Sequence, residues 1–511
     1  VRIARGTRTI LMVRPSIEFF VVVFALFKLG AVPVVVDPGM GLRRLLTCYR
    51  STRPQAFIGI PPAHALRVLF RKHFRSVRTR VTVGRRWFWG GPTLRQLCAR
   101  TLPPFEPAAT GSDDPAAILF TTGSTGPAKG VVYTHGNFDA QLQQIRHHLA
   151  FGAEEVDLST FPLFALFYPA LGVTAVIPQM DPTRPARANP ERIVEAIENQ
   201  GVSNMFASPA LLGRLAAYGR AKGLRLPSLK RVICAGAPVP PRAIEHFSDL
   251  LSEGARLETP YGATEAVPIA SIAAEEILSE TRQLTDQGYG ICVGRPINAI
   301  AVRIIAVSDE PILRWSEELV RPQGEIGEIA VRGGLVSRHY FENAAADRLA
   351  KIPDAGGVWH RMGDLGWIDR KGRIWFCGRK SQRVITPGGT LYTIPCESIF
   401  NRHPAVFRSA LVGVGPPPHQ VPVICIELAA EQRRRRRKTL RAELLELGQG
   451  QELTRRIRIV LFRRSFPVDI RHNAKIFREQ LADWARKKIS PADLRRLRTT
   501  EPIDDRFAAR P

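Results

Sequence analysis

The sequence predicts a multidomain α/β protein, and three features of the 511-residue chain indicate this fold class. Helical patterns alternate with β-branched runs through the first 300 residues, as in parallel α/β layers. From Gly290 onward the pattern changes to short strands separated by turn signals, which predicts a β-rich subdomain. The length exceeds what a single hydrophobic core usually serves, so we expect two or three domains.

The alternation begins with a helix predicted over about residues 16–28 and a buried strand over Ala31–Val36. A membrane-spanning helix is disfavoured here because Lys28, Gly30 and Pro33 interrupt the apolar run. Further along, strands are predicted over Val202–Phe206 and Arg231–Ala235, and helices over Pro209–Gly219 and Pro241–Leu251.

The C-terminal part begins where a β-rich segment gives way to charged and polar residues near Ser381. We therefore predict a large domain over residues 1–380 and a small α+β domain over residues 381–511. A basic run at residues 433–438 continues into a helical pattern of leucines. This favours the solvated start of a helix over a nucleic-acid patch.

The formal net charge of +27 makes nucleic acid or an anionic membrane surface the usual partners to consider. The basic residues are distributed through the whole chain, and the sequence has no helix-turn-helix, zinc-finger or RNA-binding aromatic signature. We therefore expect no nucleic-acid partner, and interpret most of the charge as a compositional bias toward arginine. Seven cysteines without a C-x-x-C pair indicate a reducing compartment, and a cytoplasmic location is expected.

A Gly-, Ser- and Thr-rich segment, "TTGSTGPAKG", lies between strand patterns at Ala116–Phe120 and Val131–Tyr133. Its backbone N–H groups, hydroxyls and ammonium group can bind phosphates, and they belong to Thr121, Thr122, Gly123, Ser124, Thr125, Gly126 and Lys129. A Walker A loop would continue from its lysine into a helix, whereas here Gly130 and a strand follow. We therefore expect the loop to be the tip of a hairpin, with a merely flexible turn as the alternative.

Four further segments carry candidate groups. "CAGAP" ends a strand with the small residues Gly236 and Ala237, where a flat ring can approach the backbone. "ETPYGATEA" offers an aromatic ring, a glycine, a hydroxyl and a magnesium-binding carboxylate, at Tyr261, Gly262, Thr264 and Glu265. "RMGDLG" is predicted to hold Asp364 in a turn between strands, Arg379 follows in "CGR", and Lys475 lies in "RHNAKI". Taken singly, each segment also has a purely structural interpretation.

Taken in order, "TTGSTGPAKG", "AGAP", "YGATE", "RMGDLG", "GRKSQRV" and "RHNAKI" resemble the core motifs of the adenylate-forming superfamily. This superfamily comprises acyl-CoA synthetases, firefly luciferase and the adenylation domains of peptide synthetases. The resemblance covers nearly the whole chain from about Arg8. It implies a large N-terminal domain of two α/β lobes and a β-barrel, with a small mobile α+β C-terminal domain on a hinge near Ser381. Since a first strand and helix normally come earlier, the start looks truncated.

The resemblance also implies that ATP and Mg²⁺ are cofactors, and it assigns a role to each candidate residue. The segment from Thr121 to Lys129 would hold the β- and γ-phosphates. Gly236, Ala237 and Tyr261 would frame adenine, with Gly262 beside them. Thr264 would contact the α-phosphate and Glu265 would bind Mg²⁺. Asp364 and Arg379 would bind ribose, and the catalytic Lys475 would bridge the substrate carboxylate and the α-phosphate.

Two positions depart from the pattern of acyl-CoA ligases. Ser381 stands at the hinge, where Asp or Lys is common, and Ala165 stands where many ligases carry His. Together with "FPLFALFYPALG", "TPYGATEA", "GRKSQRV" and "RHNAKI", they resemble instead the β-lactone synthetases of long-chain olefin biosynthesis. That resemblance implies adenylation of a 2-alkyl-3-hydroxy fatty acid, closure of its 3-hydroxyl to a β-lactone, and an alkyl-binding wall at residues 161–172.

Several alternatives stay open at the level of sequence. The enzyme could be a long-chain fatty acyl-CoA ligase or a fatty acyl-AMP ligase, with CoA as an acceptor in the first case. A catalytically inactive homologue or a basic scaffold is a third class, which Lys129, Glu265, Asp364 and Lys475 disfavour. The olefin-pathway resemblance further implies companion thiolase, reductase and decarboxylase proteins.

Overall fold

The computed structural model describes residues 2–101, 104–120, 128–152, 154–468 and 476–490. Within these ranges the strands form sheets of six, twelve, two and three strands, in that order along the chain. No helix in the same ranges is long and apolar enough to cross a membrane.

The first lobe is built on the six-stranded sheet, whose strand order is β4-β3-β1-β2-β5-β6. Its neighbours are parallel except for β5 and β6, which form an antiparallel hairpin. The strands are β1 (Arg8–Met12), β2 (Val32–Val36), β3 (Ala56–Gly59), β4 (Thr79–Thr82), β5 (Pro115–Phe120) and β6 (Gly130–Thr134). The helices are α1 (Ile17–Lys28), α2 (Leu42–Ser51), α3 (Pro61–Leu69), α4 (Leu94–Cys98) and α5 (His135–Leu149).

The long apolar run near the N-terminus is a helix followed by a buried strand, as predicted, but the helix is buried on one face only and leaves Ile17 and Val21 exposed. Ser16 caps α1 by accepting a hydrogen bond from the Phe19 N–H. Phe19, Val22, Val23 and Leu26 recur at helical spacing and are all buried against the sheet.

The second lobe is built on the twelve-stranded sheet, ordered β14-β15-β17-β18-β13-β12-β11-β10-β9-β7-β8, with β16 paired to β17. Pairing is parallel from β8 to β11 and antiparallel from β12 onward, so the predicted β-rich part continues the α/β sheet. The first six strands are β7 (Val156–Leu158), β8 (Thr174–Val176), β9 (Asn204–Ala207), β10 (Arg231–Cys234), β11 (Arg256–Ala263) and β12 (Ala266–Ala273). The others are β13 (Ile291–Pro296), β14 (Ile300–Ile305), β15 (Gly327–Gly333), β16 (Lys351–Asp354), β17 (Gly357–Ile368) and β18 (Ile374–Arg379).

Seven helices cover this lobe within the described ranges. Buried leucines of the longest one pack on β9 and β10 in the largest apolar cluster. The helices are α6 (Tyr168–Leu171), α7 (Pro190–Asn199), α8 (Pro209–Lys222), α9 (Pro241–Ser248), α10 (Ala274–Glu276), α11 (Arg282–Asp286) and α12 (Ala344–Ala350). The predicted strands and helices between Val202 and Leu251 are thus confirmed, with ends displaced by a few residues.

The C-terminal part is a small α+β unit with its own apolar clusters. Its strands are β19 (Val384–Thr386), β20 (Gly389–Leu391), β21 (Val406–Val414), β22 (Val421–Leu428) and β23 (Ile459–Phe462). Its helices are α13 (Thr393–Asn401), α14 (Arg437–Gln449) and α15 (Arg478–Arg486). Residues 433–438 are exposed at the start of α14, which confirms the solvated helix start.

Candidate adenylation site

Strands β5 and β6, which flank the Gly-, Ser- and Thr-rich segment, form an antiparallel hairpin. Phe120 and Gly130 are paired at the ends of the two strands, and strand β6 begins directly after Lys129, where a Walker A loop would begin a helix. This confirms the predicted hairpin. Lys129 is the last residue before β6 and is described. Thr121, Thr122, Gly123, Ser124, Thr125, Gly126 and Lys475 lie outside the described residues, and their roles stay predictions.

A second hairpin, β11–β12, turns through only two residues, Thr264 and Glu265. Three distant groups hold this turn. The Tyr133 hydroxyl of β6 donates to the Thr264 carbonyl, and the Ser337 N–H donates to the Glu265 carbonyl at 2.8 Å. The Tyr340 hydroxyl donates to the Glu265 carboxylate at 2.8 Å. The turn is therefore fixed between the first hairpin and the segment that follows β15.

Glu265 lies at the centre of a group of side chains that we call the Glu265 cluster: Lys129, Glu265, Tyr340 and Lys351. The ammonium groups of Lys129 and Lys351 lie 5.0 and 5.4 Å from the centre of the Tyr340 ring. Backbone pairing of Val131 with Tyr340 brings the ring beside Lys129. Tyr340 therefore contacts one carboxylate through its hydroxyl and two ammonium groups through its ring.

Lys351 is 5% exposed, and its ammonium group donates to the Ser337 carbonyl and, at 3.1 Å, to the Ser337 hydroxyl. Burial lowers the pKa of Lys351 to about 8, partly opposed by the negative charge of Glu265. An amine with this pKa is charged at neutral pH, and the charge lies 5.4 Å from the centre of the Tyr340 ring.

A second group, which we call the Asp364 cluster, contains Tyr261, Asp364 and Arg379. The Tyr261 hydroxyl donates to one Asp364 carboxylate oxygen at 2.6 Å, and Arg379 lies 2.9 Å from the other. The Asp364 side chain is 4% exposed, whereas that of Arg379 is 33% exposed. The negative charge of Asp364 raises the pKa of Arg379, and that of Glu265 raises it further. The carboxylate of the Glu265 cluster therefore also acts on the cation of the Asp364 cluster.

The predicted turn at Asp364 is wrong, because this residue lies inside strand β17. It pairs directly with Arg379 of β18, and the cross-strand ion pair stabilises an acidic residue at a β position. The hairpin centred near Lys371 brings the two residues opposite each other, although they are fifteen positions apart in sequence.

The proposed adenine shelf follows β10, the parallel neighbour of the strand that carries Tyr261. Gly236 is exposed and has φ of +99°, a conformation that L side chains rarely adopt. Ala237 follows it and is half-buried. Since carboxyl ends of adjacent parallel strands meet at one edge, the shelf lies at the same edge of the sheet as Tyr261 and Gly262.

The metal assignment is compatible with the geometry of Glu265. Tyr340 engages one carboxylate oxygen, and the other accepts no hydrogen bond from a described residue. No group of three or more His, Cys, Asp or Glu side chains suited to a metal occurs in the described ranges. A single carboxylate suits Mg²⁺, which usually completes its shell with water and substrate phosphates.

The predicted alkyl wall is a half-buried aromatic surface beside the sheet. The rings of Phe161 and Phe164 lie 5.9 and 4.9 Å from that of Phe206 on β9. Ala165, at the position where many ligases carry His, is fully buried and packs with Tyr168. A larger ring at Ala165 would therefore require this surface to repack.

Sequence reasoning missed Tyr340 and Lys351, which complete the Glu265 cluster. Tyr340 lies in a segment without a recognisable motif, and its role depends on pairing with a strand 209 positions earlier in the chain. Lys351 lies in "RLAKI", where only the surrounding apolar residues signal that the lysine is buried. An isolated lysine is usually solvated, so this signal is weak.

Known proteins match the chain over most of its length. The family model of the AMP-binding enzyme matches residues 2–341. The olefin beta-lactone synthetase of Stenotrophomonas maltophilia is 49% identical over 495 residues, which are 95% of this chain and 88% of that protein. The protein of the same name from Xanthomonas campestris is 48% identical, covering 94% of this chain and 87% of its own. The amide bond synthetase McbA from Marinactinospora thermotolerans has a similar fold, with TM-score 0.78, 23% identity and coverage of 95% and 91%.

Proposed function

The chain belongs to the AMP-binding enzyme family, and we propose that it activates a long-chain 3-hydroxy acid as its adenylate and closes it to a β-lactone. Similarity of 48 and 49% over nearly the whole chain to two olefin beta-lactone synthetases supports the product. The observation that carries the adenylation step is the two-residue turn of Thr264 and Glu265, because it joins the Glu265 cluster to strand β11, whose Tyr261 belongs to the Asp364 cluster.

In the first half-reaction, a carboxylate oxygen of the acid attacks the α-phosphorus of ATP, and the bond to pyrophosphate breaks. Two anions approach each other in this step, so preorganised cations stabilise the transition state. Lys129 binds the phosphates, the buried Lys351 adds positive charge behind the Tyr340 ring, and Thr264 binds the α-phosphate. Mg²⁺, held by Glu265 when bound, supplies charge neutralisation on the phosphate oxygens. Lys475 bridges the carboxylate and the α-phosphate.

The Asp364 cluster positions the nucleoside. Asp364 accepts hydrogen bonds from the ribose hydroxyls, and Arg379 and Tyr261 fix its orientation. The ring of Tyr261 and the backbone of Gly236 and Ala237 frame adenine, with Gly262 leaving room beside the ring. ATP is therefore held at its base and ribose before the reacting phosphorus is aligned.

In the second half-reaction, the substrate's 3-hydroxyl oxygen bonds to the acyl carbon, the bond to AMP breaks, and the hydroxyl proton leaves. No external acceptor such as CoA takes part. The aromatic surface of Phe161, Phe164 and Phe206 holds the alkyl chains and excludes water from the adenylate. Keeping hydroxyl and carbonyl together offsets the strain of a four-membered ring.

The test is incubation of the protein with ATP, Mg²⁺ and matched acids that carry or lack a 3-hydroxyl, with and without CoA. Pyrophosphate exchange measures the first step, and AMP and lactone release measure the second. We expect exchange with both acids, and a lactone only from the 3-hydroxy acid without CoA. Strict dependence on CoA would assign the chain to the acyl-CoA ligases instead. Exchange with neither acid would refute adenylation itself.

A further inference from the structure

Cations are spread along the chain, but acidic residues are absent from one long segment. Residues 38–105 contain thirteen arginines, one lysine and neither an aspartate nor a glutamate. In the described part of this segment, Arg53 is the only one of these cations that forms an ion pair, with Glu342. More than half of the net charge of +27 therefore lies, almost without counterions, on the first lobe.

The structure gathers several of these cations on one face. Arg78, Arg80, Arg86 and Arg100, joined by Arg2 from outside the segment, line a shallow surface cavity of about 1080 Å³. A second depression, of about 400 Å³, is lined by Arg67, Arg71, Lys72, Phe74 and Arg75. The pKa of Arg67 is lowered by burial and by the neighbouring charges of Arg80 and Arg71, so the two depressions share a positive field.

Next to these depressions, the loop "GRRWFWGG" over residues 84–91 exposes two aromatic side chains. Trp87 is 53% exposed and Phe88 is 77% exposed, and exposed Arg85 and Arg86 come directly before them. Keeping large apolar side chains exposed to water at a loop tip is unfavourable in free energy. Beside arginines, they match the interface of a bilayer, where Trp inserts at the level of the headgroups.

The loop is anchored rather than loosely attached. Trp89 is 5% exposed, its ring stacks on that of His64 at 5.2 Å, and its indole N–H donates to the Thr82 hydroxyl at 2.9 Å. Gly91 has φ of +81°, and a Cβ there would lie 2.5 Å from the Arg80 carbonyl. The ends of the loop are therefore fixed, and the two outer rings are presented without a large ordering cost.

We propose that this face, formed by residues 67–100 with Trp87 and Phe88 at its tip, docks on an anionic lipid bilayer. The arginines bind headgroup phosphates, and the two rings enter the interface. A bilayer is favoured over nucleic acid because the two rings share a loop tip, whereas single-stranded nucleic acid is bound in a groove with successive stacking platforms. The surface lies outside the residues proposed for adenylation.

The experiment is cosedimentation of the full chain with vesicles of phosphatidylcholine alone and of phosphatidylcholine with phosphatidylglycerol. We expect binding only to the anionic vesicles, weakened by salt. The triple variant Arg71→Gln, Lys72→Gln, Arg75→Gln should weaken binding on the order of a hundredfold. The double variant Trp87→Ser, Phe88→Ser should weaken it by about tenfold or more.

Matched controls lie in the C-terminal part. Arg433→Gln, Arg434→Gln, Arg436→Gln removes the same charge from another exposed run, and Phe407→Ser removes a ring that is 59% exposed. Both should bind as the unchanged protein does. Equal binding by all variants, or equal binding to both vesicle types, would overturn the proposal. Retention by a single-stranded oligonucleotide without vesicle binding would overturn it in favour of nucleic acid.

Two measurements separate docking from folding and from the proposed reaction. Pyrophosphate exchange with a short, water-soluble 3-hydroxy acid should be the same in every surface variant. Vesicles with brominated acyl chains should quench tryptophan fluorescence, and Trp87→Phe should lose most of this quenching while still binding. Unchanged quenching in that variant would contradict insertion of the loop.

Discussion

The two side-chain clusters of the site differ in how their charges are balanced. In the Asp364 cluster one carboxylate meets one guanidinium and one phenol, and each contact is direct. In the Glu265 cluster two ammonium groups lie near a phenol ring whose hydroxyl donates to one carboxylate. The first is balanced in charge and suits neutral hydroxyls. The second has an excess of positive charge and suits an anion.

The largest effect is expected for Glu265→Gln, which removes the only carboxylate of the cationic cluster. The two lysines then keep only the more distant charge of Asp347 as a counter-charge, and Mg²⁺ would lose its proposed protein ligand. We expect pyrophosphate exchange to fall on the order of a thousandfold. Tyr340→Phe, which removes only the hydrogen bond to Glu265, should cost about tenfold. Exchange by Glu265→Gln that recovers fully at high Mg²⁺ would restrict its role to metal affinity.

The next largest effect on activity is expected in the Asp364 cluster. Asp364→Asn should raise the KM for ATP about a hundredfold, because it would weaken the two proposed hydrogen bonds to ribose and removes the carboxylate that pairs with Arg379. Its kcat should change much less. The sharper readout is 2′,3′-dideoxy-ATP, which the unchanged protein should bind far more weakly than ATP and the variant should bind equally. Retained discrimination would place ribose elsewhere.

The variant Lys351→Met measures how much the buried positive charge lowers the free energy of unfolding. The pKa of Lys351 is about 8 in the folded protein, below its value in the unfolded chain. The unfolded chain therefore binds more protons between pH 8 and its ordinary pKa, and this residue's contribution to stability rises with pH across that window. Keeping it charged at pH 7 costs on the order of 3 kcal/mol.

We expect Lys351→Met to have a higher Tm than the unchanged protein at pH 7, with the difference vanishing above pH 10. Pyrophosphate exchange should fall about tenfold, because one cation near the phosphates is lost. Thermal unfolding across this pH range measures the first effect. A lower Tm at pH 7 would mean that the ammonium group stabilises the empty site.

The smallest effect on catalysis is expected at Asp157, a carboxylate in β7 that is 1% exposed and lies outside both clusters. It accepts a hydrogen bond from the Ser159 hydroxyl at 3.1 Å, and burial raises its pKa to about 7. The folded protein therefore retains a proton that the unfolded chain releases, and stability falls as the pH rises toward 7. Asp157→Asn should raise the Tm above pH 7, match the unchanged protein near pH 4, and leave exchange unaltered.

Much of the Asp364 cluster could be predicted from the sequence, but little of the Glu265 cluster could. Tyr261, Asp364 and Arg379 each lie in a short motif with local chemical meaning. If β17 and β18 had been predicted as a hairpin, counting residues outward from its turn would have paired Asp364 with Arg379. Tyr340 and Lys351 join the site only through contacts between strands far apart in the chain, which no local pattern encodes. The same limit explains why Asp364 was expected in a turn: its strand position depends on a partner across the sheet.

The alternation of strands and helices was predictable because the need to bury one face makes apolar residues recur at one spacing in helices and at another in strands. The continuity of the β-rich part with the second sheet was not, since it depends on β12 pairing with β13. The face of residues 67–100 was visible in the sequence as a stretch without acidic residues. It was missed because counting cations alone suggests an even distribution.

The turn of Thr264 and Glu265 is fastened by Tyr133, Ser337 and Tyr340, from parts of the chain 131, 72 and 75 positions away. Loops of that length must close before any of the three bonds can form. We therefore expect these three hydrogen bonds to be among the last contacts to form when the chain folds. Recovery of adenylating activity during refolding should lag behind the return of secondary structure, and would report that both lobes have docked.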